Sequence, residues 1–175
     1  MYSKIETERL ILREWKMEDI DILVDGLNHF DTAKNLTVPF PYTKEHAVVF
    51  IGKHLKNNKK SLAFAITLKE TNQVIGGTSI DYDETLQKYK GGIWLHRDFT
   101  KKGYGTETWR ARAKYAFETF DIDELENGFY EFNNASWHMQ QKVGYKQVGK
   151  KPTFCPALQS EVVEIITRLK KEDLT

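Results

Sequence analysis

The chain of 175 residues has a single cysteine, Cys155, so no disulfide can form within it, and a reducing compartment is expected. It has almost no charge excess: the formal net charge is +1. That argues against a general nucleic-acid binder, which carries a basic face. The only notable basic cluster, Lys53, Lys56, Lys59 and Lys60, reads as a solvated helix end. No apolar run reaches membrane-spanning length. The opening MYSKIETERL is charged and has no apolar centre, so no signal peptide is expected. There is no internal repeat and no low-complexity linker. The G-x-x-x-x-G-K-[ST] phosphate loop is missing, and so is the third glycine of the G-x-G-x-x-G dinucleotide turn. What is there suits a folded domain over 1–175: 40% hydrophobic residues balanced by 29% charged ones.

One stretch organises the rest. Gly91 to Phe120 reads GGIWLHRDFTKKGYGTETWRARAKYAFETF. A half-buried strand, Gly92 to His96, runs into a basic turn, Lys101-Lys102-Gly103-Tyr104-Gly105-Thr106, and then into a helix. Trp109, Ala113, Ala116, Phe117 and Phe120 recur at helical spacing and define its apolar face. A helix start carries unpartnered amides and favours negative charge. Gly103 and Gly105 let backbone approach a bulky anion, and Lys101 and Lys102 add charge.

Around it, Arg9 to Trp15 reads as a strand. Met17 to Leu27 has Ile20, Leu23, Val24 and Leu27 at helical spacing, with Glu18 and Asp19 in the first turn. Pro39 and Pro41 exclude a regular helix or central strand in the connection from Asn28 to Tyr42. Thr43 is the expected N-cap of a helix burying Ala47, Phe50, Ile51 and Leu55, closed by Asn57, Asn58 and two lysines. Leu62 to Leu68 and Val74 to Tyr82 read as a strand hairpin, and Asp83 to Lys88 as a turn. After the long helix come a strand, Leu125 to Phe132, and a helix, Asn134 to Val143, with Ala135, Met139 and Val143 inward and Gly144 at C′. Two strands close the chain, Tyr145 to Gly149 and Val162 to Leu169, joined by a loop holding Pro152, Cys155 and Pro156. Helices and strands interleave only in part, which points to an α/β chain with a mixed sheet.

That order and four segments resemble the GNAT N-acetyltransferase superfamily, over nearly the whole chain, and within it the branch of the ribosomal-protein alanine N-acetyltransferases. The segments are TERLILREW (Thr7 to Trp15), VPFPYTKEHAVVFI (Val38 to Ile51), IWLHRDFTKKGYGTET (Ile93 to Thr108) and NNASWHMQQKVGYKQVGK (Asn133 to Lys150). The third matches the [QR]-x-x-G-x-[GA] pyrophosphate loop except at its first position, which is Thr100.

The resemblance implies a twisted sheet of about seven strands flanked by about four helices, with a splayed strand pair forming the acetyl-CoA cleft. It implies that Trp94, Leu95 and His96 line the pantetheine arm through backbone groups, and that an N–H near Leu95 polarises the thioester carbonyl. Lys101, Lys102, Gly103, Tyr104, Gly105 and Thr106 then hold the pyrophosphate, and Asn133 bonds the arm from the far side. Ser136 is the candidate acid for the departing thiolate. The amine acceptor would sit under Asn28 to Tyr42, against Phe30, Phe40 and Tyr42. No metal is implied, the setting is cytoplasmic, and a homodimer fits the family.

The base is less defined. Glu126 is the first candidate, with Glu131, Asp81 and Asp83 as alternates; the position some relatives use is Gly128 here. A tyrosine acid used elsewhere in the superfamily falls at Gln140, with Tyr130 a conceivable substitute. Attack needs a neutral amine. A lysine-like amine with pKa near 10.4 gives up about 4.6 kcal/mol at pH 7, an α-amine only about 1–1.5 kcal/mol. The reading is therefore an acetyl-CoA-dependent N-acetyltransferase acting by direct attack; the alternative is an acyl-CoA-binding module with little turnover.

Overall fold

The computed structural model describes residues 4–55 and 60–175. The expected helix end at Asn57 and Asn58, and Lys56 and Lys59 of the basic cluster, lie outside them. Nine strands form two sheets among the described residues. The larger is ordered β1 (Ile5–Glu6), β2 (Leu10–Glu14), β3 (Ser61–Leu68), β4 (Val74–Asp83) and β5 (Lys88–Lys90), with β6 (Ile93–Leu95) also on β4. The smaller is ordered β7 (Glu124–Tyr130), β9 (Ser160–Lys170) and β8 (Lys146–Cys155). Five α-helices flank them: α1 (Ile20–Leu27), α2 (Phe30–Ala33), α3 (Lys44–Leu55), α4 (Tyr104–Thr119) and α5 (Asn134–Gln141). The α/β class is as expected, with a few more strands and one more helix than the resemblance implied. Among the described residues the strand pairings are antiparallel throughout, where a mixed sheet was expected. Among the described residues no ladder joins β6 to β7, and the two sheets part there.

Strand alternation divides the core. Leu62, Phe64 and Ile66 of β3 face α4, with Leu10, Leu12, Trp109 and Ala113. The intervening Ala63 and Ala65 face α1 and α3, leaving room there for Trp15, Leu23 and Ile51. Entry to α1 is fixed by Asp19, whose carboxylate accepts two bonds from Arg13 of β2 (2.8 and 2.9 Å) and one from the Lys16 amide. Thr43 caps α3 as expected, its Oγ1 accepting the His46 amide.

Three local expectations change. Leu55 is 52% exposed; His54 completes the face with Ala47 and Ile51, and its Nδ1 donates to Phe50 O (2.8 Å). Ala135 is exposed, and Gln140 is the fully buried residue of α5. Pro152 and Cys155 lie in β8, not in a loop. β8 is an edge strand, where a missing N–H need not break a ladder.

β5 and β6 share one edge of β4 and are separated by Gly91 and Gly92. At that gap Ser79 N–H donates to Gly92 O (3.1 Å). Ser79 O has no strand amide opposite; Arg112 Nη1, reaching through from α4, donates to it at 2.9 Å. Arg112 is 2% exposed, packs over the Trp109 ring and also donates to Tyr145 Oη (3.1 Å). Burial raises the Tyr145 hydroxyl pKa, which the guanidinium only partly offsets. Gly91 is required here because a Cβ would stand 1.9 Å from Ser79 O. No described helix is long and apolar enough to cross a membrane.

Candidate active site

Three elements meet at Gly105. A Cβ there would fall 2.2 Å from Met139 Sδ of α5 and 3.6 Å from Leu95 Cδ1 of β6. The glycine is thus demanded by close helix packing, whereas the sequence reading gave it an anion-approach role. Gly103 does supply the turn: its φ is +85°, in the left-handed region, and Lys101 precedes it at +61°. The first helical bond is Glu107 N to Gly103 O (3.1 Å), so the Tyr104, Gly105 and Thr106 amides have no intrahelical acceptor. Lys101 and Lys102 are exposed, with Lys102 Nζ 5.1 Å from the Phe99 ring centre. Thr100 staples the turn through Oγ1 to Arg97 O (3.0 Å).

A residue that local reading missed holds this loop. Arg9, from the start of the chain, donates to Lys102 O (3.0 Å) and to both carboxylate oxygens of Glu107, and its guanidinium lies 4.6 Å from the Tyr104 ring centre. Thr7 Oγ1 also donates to Glu107 (2.6 Å). Burial alone would raise the Glu107 carboxyl, but these donors outweigh it and hold it below the ordinary value of 4.5.

Just past the end of β6, His96 N–H donates to Ile75 O of β4 (2.8 Å). Alternation along the strand turns the Leu95 N–H to the opposite edge, where no strand pairs among the described residues. The Trp94 indole leaves that edge and stacks on Trp15 (6.4 Å between ring centres). The His96 side chain also turns away. It is buried, and its Nε2 stands 2.7 Å from Asp25 Oδ2 of α1. Because Nδ1 accepts the Asp98 amide (3.4 Å), Nε2 carries the proton and donates. This bond, with Arg97 behind it, lowers the Asp25 pKa. His96 therefore fastens β6 to α1.

Asn133 is the N-cap of α5, its Oδ1 accepting the Ser136 amide (3.1 Å). Ser136 Oγ accepts from Gln140 Nε2 (3.1 Å), and Gln140 Oε1 accepts from Thr167 Oγ1 (2.5 Å). The Ser136 proton is thereby directed away from the amide. The Gln140 position, expected to be chemically empty, is a buried orienting group.

Between β6 and β7 lies a cavity of about 380 Å³. Gly91 to Trp94 form one wall, Glu126 to Tyr130 the other, and Leu36, Val38 and Tyr42 the roof. Phe30 and Phe40 do not line it; they pack on each other, with Phe30 46% exposed. The roof is tied to the smaller sheet: Tyr130 Oη donates to Leu36 O (3.2 Å) and Cys155 Sγ to Lys34 O (3.5 Å). Burial pushes the Tyr130 hydroxyl up to about 12, so it remains a donor at neutral pH.

Glu126 lines the cavity, and its carboxylate is held by Arg168 Nη2 (3.2 Å) and Lys88 Nζ (3.5 Å). Asp81 also lines it, bonded to the Ser61 hydroxyl. Asp83 is used by Lys90 and the Thr85 and Leu86 amides, and Glu131 is exposed. A carboxylate the sequence reading did not include, Glu164 of β9, lies over Gly128: a Cβ there would be 2.2 Å from Glu164 Oε1.

A parted strand pair, a glycine turn opening a helix and a cavity between the strands are the features that the resemblance implies for an acyl-CoA-dependent transferase. The chain belongs to the GNAT acetyltransferase family: the acetyltransferase (GNAT) domain model matches residues 9–146. It is similar to the uncharacterized N-acetyltransferase p20 of Bacillus licheniformis, with 24% identity over 147 residues covering 82% of each chain. In fold it is similar to ribosomal-protein-S5-alanine acetyltransferase from Vibrio fischeri: TM-score 0.82, 15% identity, covering 99% of this chain and 100% of that one. It is likewise similar to spermidine N-acetyltransferase from Vibrio cholerae in complex with CoA and spermine: TM-score 0.80, 14% identity, 95% and 98% covered. The likeness to the ribosomal-protein branch is thus one of fold.

Proposed function

We propose that the chain transfers the acetyl group of acetyl-CoA to an amine by direct attack, the acceptor being a protein N-terminal α-amine or a small-molecule amine. The observation that carries this reading is the cavity between β6 and β7, which opens where the sheets part and where β6 has an unpaired edge. On this reading the Leu95 N–H polarises the thioester carbonyl and stabilises the oxyanion as it forms. Lys101 to Thr106, braced by Arg9, take the pyrophosphate on the unpartnered amides of α4. Asn133 supplies its amide NH₂ to the pantetheine arm, since its Oδ1 is already used as the cap. Ser136, whose hydroxyl proton is free of Gln140, protonates the departing thiolate. A cytoplasmic setting and a homodimer belong to the same proposal. Among the relatives compared, one acts on an alanine of a ribosomal protein by its name, and another is bound to CoA and a polyamine.

The test is thiol release from acetyl-CoA with a panel of acceptors: alanine- and serine-initiated peptides, spermidine and benzylamine. Turnover with at least one is expected, fastest for those acceptors whose neutral form is most available at pH 7. Binding of acetyl-CoA with no thiol released for any acceptor would show a binding module instead.

A further inference from the structure

Resting on that reading, we propose that Glu164 is the catalytic base, delivered from β9 to a socket on β7 that Gly128 leaves open. Three observations converge on it. Gly128 and Glu164 both line the cavity between the parted sheets. Ile166 is the residue paired with Gly128, and Glu164 is paired with Tyr130, so the Glu164 side chain leans along the strand to cover the glycine. Its Oε1 occupies the space a Gly128 side chain would fill. The carboxylate is also uncommitted. Its one ion pair is Oε2 to Lys151 Nζ at 3.5 Å, and among the described residues neither oxygen accepts a hydrogen bond. Glu126 differs on this point, since two cations already hold it and its side chain is only 13% exposed. A carboxylate that faces a cavity with open acceptor capacity is suited to an incoming ammonium group.

The step balances as follows. An ammonium acceptor gives one proton to the Glu164 carboxylate, directly or through one water. The neutral nitrogen then attacks the thioester carbon, its lone pair forming the C–N bond while the carbonyl electrons move to oxygen. Collapse of that oxyanion breaks the C–S bond, and the thiolate leaves with a proton from Ser136. The serine is restored by the second proton of the amide nitrogen. Glu164 returns its proton to solvent, so one proton is released per acetyl group transferred.

The experiment compares wild type, Glu164→Gln, Glu126→Gln and the transposed pair Glu164→Gly/Gly128→Glu, using the alanine-initiated peptide and spermidine as acceptors. Calorimetric binding of acetyl-CoA serves as the folding control. Glu164→Gln should bind acetyl-CoA as wild type does and lose about 100-fold or more in kcat/KM at pH 7. Its acidic limb in the pH profile should flatten, and its defect should shrink toward pH 9 for the peptide, whose α-amine is then neutral. The transposed pair should recover at least 10-fold over Glu164→Gln, because the carboxylate returns to the same place from the other strand. Wild-type turnover with an unchanged rate and pH profile in Glu164→Gln overturns the proposal alone. A larger loss in Glu126→Gln with normal acetyl-CoA binding also overturns it and returns the base to β7. Silence of the wild type toward both acceptors overturns the transferase reading and this assignment with it.

Discussion

Gly91 and Gly92 are neighbours in the sequence and opposites in the fold, which makes them a controlled pair. Replacing Gly91 by alanine puts a methyl group 1.9 Å from Ser79 O and 2.5 Å from Arg112 Nη1. The first obstacle is backbone in a strand paired on its other side to β3, so it cannot swing aside. Overpacking of this kind costs about 1–3 kcal/mol. Displacing a charged donor from Ser79 O adds about 1.5–3 kcal/mol. The reduced freedom of the unfolded chain returns only about 0.4–1 kcal/mol. A net loss of about 2–5 kcal/mol follows, which for a chain of this size lowers Tm by roughly 4–20 °C. A Gly92 methyl meets nothing within 4 Å. That variant should match wild type or exceed it by up to about 1 kcal/mol. Thermal and urea unfolding of Gly91→Ala and Gly92→Ala decide the matter. Equal midpoints for the two variants would refute the claim that Arg112 and Ser79 close this gap in the sheet.

Two further outcomes follow from the loop at α4. If the turn holds the pyrophosphate as proposed, Arg9→Ala should raise the KM for acetyl-CoA roughly 3–10-fold with kcat little changed, because it removes the brace of that turn; a fall in kcat at constant KM would contradict that role. The Glu107 carboxyl is held below its ordinary 4.5, so its stabilisation is complete above that pH and is lost as pH falls through the lower folded value. The stability gap between wild type and Glu107→Gln should therefore be constant from pH 6 to 7 and narrow as pH falls below 4.5; a gap that does not narrow on acidification would mean the Thr7 and Arg9 bonds do not act through the ionised carboxylate.

What was legible in the sequence was local. The spacing of Trp109, Ala113, Ala116 and Phe117 marked the buried face of α4, and Thr43 and Gly144 marked helix ends, because each depends on neighbours within a turn or two. The turn before α4 was visible for the same reason: its amides and Gly103 lie within six residues. The rest depends on partners far along the chain. Arg9 and Glu107 are 98 positions apart, and nothing in either segment announces the other. Gly105 looked like an anion residue because glycine before a helix has that use, while the observed demand comes from Met139. Gly128 looked like a missing carboxylate; only the folded chain shows Glu164 Oε1 in the space its side chain would fill. Pro152 suggested a loop until the edge position of β8 was known.

The link from Thr167 through Gln140 to Ser136 has a consequence for where protons can travel. A carboxamide gives up its hydrogens far too reluctantly to relay them, so Gln140 is an insulator between the serine and the protein interior. Thr167 aims the circuit and cannot recharge it. On the proposed role of Ser136, the proton it surrenders must come back from the acceptor nitrogen or from water entering with it, and not through Gln140. If Ser136 serves as proposed, proton exchange there is confined to the side of α5 that meets the substrates, and the interior behind Gln140 takes no part in it.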